Sequence, residues 1–128
     1  MSLQLLAQEQ RQAPELKAYF ESALNVDTTK PVQQRDRQPK FVIQDGLLYR
    51  LTRQAQHFDV VRYAIVIPNS AKQRFLWTYH DDHMAEHPGH QRTYATLAAR
   101  YGWKNMRKEV RQYVAACLKC RRHKTSQP

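Results

Sequence analysis

Apolar and polar positions follow three different rhythms along this chain. In residues 1–24, Leu16, Tyr19, Phe20 and Leu24 recur at helical spacing. Pro14 suits the first turn of a helix, where its missing N–H costs nothing. Residues 25–39, NVDTTKPVQQRDRQP, are polar, hold two prolines and show no period, which predicts a linker. From residue 40 the rhythm shortens. Phe41-Val42-Ile43, the turn signal Asp45-Gly46 and the run Leu47 to Leu51 predict a hairpin. After a polar gap from Thr52 to Gln56, the run Val60 to Ile67 predicts a third strand. Pro68 ends it, since proline cannot donate to a ladder.

Residues 69–123 return to helical spacing in three segments. The first starts at a cap on Asn69 or Ser70 and runs to about Asp82, with Ala71, Phe75, Leu76 and Tyr79 on its apolar face. Pro88-Gly89 breaks the chain. The second runs from His90 to about Arg100, with Tyr94, Leu97, Ala98 and Tyr101 inward and Gly102 as its stop. The third covers about Asn105 to Ala116, with Met106, Val110, Tyr113 and Val114 inward. The fold class expected is α+β, a small antiparallel meander followed by a three-helix bundle. The organisation expected is a helix at 1–24, a linker at 25–39, a stranded extension at 40–68, a helical domain at 69–124 and the start of a further linker at 125–128.

Three short helices offer little apolar area, and such bundles need a staple. The chain holds a set of residues that can supply one. His80, His87, Cys117 and Cys120 read His-x6-His-x29-Cys-x2-Cys, two imidazoles and two thiols for a closed tetrahedral zinc site. A metal there would tie the exit of the first bundle helix to the exit of the third and contribute much of the folding energy. His83 with His87 is an alternative pair, one helical turn apart. His90 reads as a solvent-facing first-turn residue, His57 as part of a polar loop and His123 as part of a basic tail. A redox reading of Cys117 and Cys120 competes. Redox pairs sit at helix starts, where the dipole lowers a thiol pKa, and this pair follows a helix end.

Charge changes the picture of the same region. The net charge of +10 is not spread evenly: residues 1–39 carry five basic and five acidic side chains, residues 72–128 twelve and four. A basic excess in the metal-bearing segment points to a polyanion, nucleic acid before membrane. Candidate phosphate contacts are Arg92, Arg100, Lys104, Arg107, Lys108 and Arg111, with Lys119, Arg121, Arg122 and Lys124 in the tail. Lys104, Lys108 and Arg111 are spaced to share one helix face. Trp103 and Tyr101 suit core packing better than base stacking. No apolar run reaches the roughly 20 residues of a membrane span, and MSLQLLAQEQ lacks the features of a signal peptide. An intracellular protein with no small-molecule substrate is expected.

These motifs together resemble the zinc-binding N-terminal region of gypsy-type retrotransposon integrases. The resemblance rests on His80-Asp81-Asp82, His87-Pro88-Gly89, Thr93, the run Tyr101 to Val114, Cys117-Leu118-Lys119-Cys120 and Lys124. Upstream, Gln44 to Arg50 and Val66-Ile67-Pro68 are similar to the extension that precedes that domain. The family's first histidine stands seven positions before its second, which favours His80 over His83. The chain departs from the pattern at Glu86, where the family usually has glycine, at Lys104 for proline, at Arg121 for glutamine and at His90 for an apolar residue. The resemblance implies a helix-turn-helix-like bundle closed by one structural Zn2+, with DNA ends and other integrase subunits or domains as partners and the nucleus as site of action. It places catalysis in a separate core of three carboxylates and two metals. Asp81, Asp82, Glu86 and Glu109 are too few for that role, so no enzyme activity is expected of this chain. The alternative is a domesticated relative whose zinc fold docks proteins. A sequence-reading zinc-finger protein is disfavoured by the lack of tandem repeats.

Overall fold

A computed structural model describes residues 2–25, 39–54, 57–82 and 85–121. The expected linker, His83, His123, Arg122 and Lys124 lie wholly or mainly outside these residues. The chain divides into two compact units, residues 1–70 and 71–128. The architecture is α+β, as the pattern predicts.

The first unit begins with two helices where one is expected. Helix α1 spans Leu3–Gln12, with the Ser2 hydroxyl accepting from the Gln4 amide as its cap. Ala13 is extended, as a residue before proline is pushed to be. A 3-10 turn, Pro14–Leu16, then starts helix α2, Lys17–Leu24. This break changes which residues face inward. Leu6, Ala13 and Leu16 are buried, whereas Leu24 from the predicted stripe is 74% exposed.

Three antiparallel strands come next: β1 Phe41–Gln44, β2 Leu47–Gln54 and β3 His57–Val66. Asp45 and Gly46 both take positive φ, 53° and 80°, which is the two-residue turn that matches strand twist. That turn sets the register Ile43↔Leu48 and Gln44↔Leu47. The polar stretch predicted as a gap belongs mostly to the strands. Main-chain pairing extends β2 to Gln54 and starts β3 at His57, with a register shift at Arg53/Gln54. His57 is therefore a strand residue. Ladder bonds use main-chain groups, so polar side chains do not stop a strand.

Helices α1 and α2 cover this meander. Ala13, Leu16, Leu48 and Val66 form a buried cluster, with Tyr19, Phe20, Phe41 and Ile43 packed against it. Tyr19 stacks on Phe41 at 4.2 Å between centroids. Gln10 is fully buried among these apolar groups.

The second unit is the helical one. Helix α3 spans Asn69–Leu76 and passes into a π-helical turn, Trp77–Asp81. The predicted single helix to Asp82 thus changes winding after Leu76, where the Asp82 amide reaches back to the Trp77 carbonyl at 3.0 Å. Helix α4, His90–Ala98, packs on α5, Met106–Ala115. Between them Tyr101–Gly102 is a short extended strand, β4. Gly102 is therefore not a helix stop; α4 ends at Ala98 on the bond from the Ala99 amide to the Ala95 carbonyl. The core holds Ala71, Phe75, Leu76, Leu97, Trp103, Met106, Val110 and Val114. Trp103 donates from its indole N–H to Glu109 at 2.6 Å, and Lys72 reaches the same carboxylate at 3.3 Å. Among the described residues, no helix is long and apolar enough to cross a membrane.

Candidate metal centre

The π-helical turn places the first histidine. Widening the helix after Leu76 turns His80 fully into the interior and leaves Trp77 and Thr78 exposed. The chain then reverses within a few residues. Glu86 and His87 both take positive φ, 59° and 51°, and the His87 amide donates to the His80 carbonyl at 3.1 Å. The second histidine is thereby held beside the first, with ring centroids 4.9 Å apart. Gly89 then caps α4 in an extended conformation.

The cysteines arrive from the other end of the unit. Helix α5 stops at Ala115, Cys117 sits in the next turn with its amide on the Val114 carbonyl, and residues 118–121 make one last helical turn that carries Cys120. The two cysteines are not joined in a disulfide. Cys120 Sγ lies 3.3 Å from His80 Nε2, and Cys117 Sγ lies 3.5 Å from His87 Nδ1. One ligand atom from each of His80, His87, Cys117 and Cys120 falls within 4.8 Å of the other three.

This donor set fits zinc. Bonds of about 2.0–2.1 Å to nitrogen and about 2.3 Å to sulfur place neighbouring donors of a tetrahedron about 3.5 Å apart. The two measured N···S separations have that length. The chemistry agrees, because a metal needs neutral imidazole. Burial holds His80 below its ordinary pKa of 6.5, and His87 pushes the same way against the pull of Asp81 and the Pro88 carbonyl. Among the described residues, no hydrogen bond of good geometry reaches the buried His80 Nδ1, which has the Pro88 carbonyl as a weak neighbour. A redox pair would need neither histidine in place, so the convergence of all four residues favours a metal.

The structure gives three residues of the motif a role beside the cluster that the chain pattern does not assign. The Tyr113 hydroxyl donates to Asp81 Oδ2, and burial with this contact pushes the Tyr113 pKa up. Asp81 Oδ1 lies 3.9 Å from His87 Nδ1 and 4.0 Å from Cys117 Sγ. Buried Thr93 donates its hydroxyl to the Pro88 carbonyl at 3.2 Å, which fixes the start of α4 against the histidine loop. Tyr113 precedes Cys117 by one helical turn and Asp81 adjoins His80, so spacing alone contained a trace of this support.

The basic candidates divide. Arg92, Arg100, Lys104, Arg107, Lys108, Arg111, Lys119 and Arg121 are exposed. Arg107 lies over the Tyr94 ring at 4.4 Å, and Arg121 donates from Nε to the Ala115 carbonyl at 2.9 Å. Lys104 does not share a helix face with Lys108 and Arg111. It precedes α5, and Asn105 between them is left-handed with φ 66°. Trp103 is buried, as core packing requires.

With this geometry in view, the family comparison adds one finding. Residues 67–126 match the model of the integrase zinc binding domain family. This stretch is similar to that domain, and its cluster of two histidines and two cysteines supports one structural zinc as its cofactor. No curated protein and no solved structure was found to match the chain.

Proposed function

We propose that this chain is the N-terminal, non-catalytic region of a gypsy-type retrotransposon integrase, working in the nucleus on element DNA and assembling with other integrase subunits or domains. In this reading His80, His87, Cys117 and Cys120 are the zinc ligands, and the metal sets the relative positions of α3, α4 and α5. Exposed Arg92, Lys104, Lys108, Arg111 and Lys119 then meet DNA phosphates, joined by Arg107, Arg121, Arg122 and Lys124. Contacts of this type position a protein on DNA without reading sequence.

The observation that carries the reading is the match of residues 67–126 to an integrase domain family, together with the four-donor cluster inside it. The basic surface supports it: α5 buries Met106, Val110 and Val114 and exposes Arg107, Lys108 and Arg111. A solvated face also looks like this, and salt dependence separates the two. The test is duplex affinity across a range of salt for wild type and for Lys108→Glu with Arg111→Glu. Steeply salt-dependent binding, abolished by the double reversal with zinc retained, supports a DNA module. No binding by zinc-loaded wild type favours the domesticated protein-docking alternative.

A further inference from the structure

The zinc cluster is bordered on its outer side by a pocket that a structural metal alone does not require. Trp77, Tyr113 and Leu118 supply apolar surface, Lys119 a cation and Asp81 a carboxylate. Trp77 and Leu118 are 53% and 67% exposed, two of the few large apolar side chains that the described residues leave to solvent. The indole stands there because the π-helical turn that sends His80 inward sends Trp77 outward.

The chemistry of the lining narrows the occupant. Exposed indole beside a lysine is the pairing that holds single-stranded nucleic acid, one group for a base and one for its phosphate. The unit's strongly basic balance, twelve positive against four negative side chains over residues 72–128, favours a polyanion. Asp81 adds a selector. Its Oδ2 is taken by the Tyr113 hydroxyl, and its Oδ1 stands 3.9 Å and 4.0 Å from His87 and Cys117. A carboxylate oxygen has two acceptor sites, so Oδ1 can take a further donor beside the Cys117 thiol. A carboxylate accepts from the exocyclic amine of cytosine, and thymine has no such amine.

We propose that this pocket seats one unpaired nucleobase bearing an exocyclic amine, with Trp77 as the stacking face, Asp81 as the acceptor for the amine and Lys119 on the adjoining phosphate. The inference rests on the reading of the chain as a DNA-binding module. It adds a preference for frayed or overhanging ends that phosphate contacts cannot provide.

The test uses the zinc-loaded 128-residue chain and three labelled duplexes of one sequence, blunt, with a cytosine overhang and with a thymine overhang. Anisotropy gives affinity, and quenching of tryptophan fluorescence by the overhang reports Trp77, since Trp103 also emits but is buried out of reach of a base. The cytosine overhang is expected to bind about tenfold tighter than the blunt end, the effect of one stacked base, and to quench the fluorescence. It is also expected to bind more tightly than the thymine overhang. Trp77→Ala should remove the overhang preference and leave blunt binding and zinc content unchanged. Asp81→Asn, with zinc content verified, should equalise cytosine and thymine. Equal binding of blunt and overhanging ends, with salt dependence intact, overturns the pocket and leaves the DNA-binding reading standing. No binding of any duplex overturns both. Self-association that shields Trp77 from the overhang overturns the pocket in favour of a protein interface.

Discussion

The main-chain amide of His87 is hydrogen-bonded to the main-chain carbonyl of His80 at 3.1 Å. This bond closes the loop between the two histidines before any metal contributes, so half of the donor set is held by backbone. The other half depends on the turn after α5, where Cys117 and Cys120 are only partly buried. Metal removal should therefore loosen the α5 end first. With chelator present, hydrogen exchange is expected to rise most over residues 114–121 and less over 76–82. One zinc per chain is expected by elemental analysis, lost in His80→Ala and in Cys117→Ala and kept in His83→Ala. Retention of zinc in His80→Ala would move the first ligand to His83.

Glu86 occupies a left-handed conformation, φ 59°, inside this same loop. A non-glycine residue there costs roughly 1–2 kcal/mol, and glycine's greater freedom in the unfolded chain returns roughly 0.5–1 of it. Glu86→Gly should thus stabilise the zinc-binding unit by about 0.5–1 kcal/mol net. Glu86→Val should destabilise it, because a β-branched residue tolerates positive φ poorly. Denaturant midpoints of the zinc-loaded variants decide the matter. A stability loss in Glu86→Gly would mean that the glutamate side chain makes a compensating contact.

That position also shows what the chain discloses and what it withholds. The resemblance marks Glu86 as standing where glycine is usual, and the left-handed φ supplies the physical reason. The four metal donors are visible because histidine and cysteine spacing carries chemistry directly, and the Asp45-Gly46 turn is visible because its φ values demand those residues. The π-helical turn is not visible. Trp77 to Asp81 keep ordinary helical character, and the change of winding arises from tertiary packing around His80. The second strand pair also runs further than the hydrophobic pattern, since Thr52 to Gln54 join the ladder through main chain. The N-terminal core is misplaced at Leu24 because the break at Ala13-Pro14 rotates α2 relative to α1.

Gln10 is silent in the sequence and central to the first unit. Its side-chain amide donates to the Leu48 and Val66 carbonyls, at 3.1 and 2.7 Å, and accepts from the Leu48 amide at 2.9 Å. It sits where the β2–β3 ladder, paired at Tyr49↔Ile65, would next join Leu48 to Val66. Gln10→Leu keeps the volume and strands three main-chain groups. At roughly 1–3 kcal/mol for a buried unpaired group, partly relieved by water, the loss should be about 2–4 kcal/mol. Chemical denaturation monitored by a probe in residues 1–70 should show it, with zinc content unchanged. A neutral result would show that Gln10 is not needed to close the ladder.

Glu109 joins three parts of the second unit, accepting from the Trp103 indole at 2.6 Å and pairing with Lys72 at 3.3 Å. The indole is buried, so Glu109→Ala leaves its N–H without a partner, at a cost of about 1–3 kcal/mol. Lys72→Ala removes a partly buried ion pair and the ammonium's contact with the Trp103 ring at 5.6 Å, and should cost about 0.5–1.5 kcal/mol, less than Glu109→Ala, which loses the ion pair and the indole bond together. Thermal denaturation of the two variants should rank them in that order. Equal losses would assign the stabilisation to the ion pair and not to the indole bond.

Acid should act on this protein through His80. Burial lowers its folded-state pKa beneath the ordinary 6.5, so the folded protein prefers the neutral ring. Between the folded pKa and 6.5 the unfolded chain binds the proton first. The stability contributed by neutral His80 is therefore complete above pH 6.5 and is lost as pH falls through and below it. Zinc release runs in the same direction, because protons compete with the metal for imidazole and thiolate. Melting temperature measured from pH 8 to pH 5 should, in chelated protein, hold steady at the alkaline end and fall below about 6.5, and in zinc-loaded protein start higher and fall across the whole range, because thiols released on unfolding take up protons below about 8.5. A melting temperature that rises on acidification would show that His80 is stabilised as the cation, which the metal site does not allow.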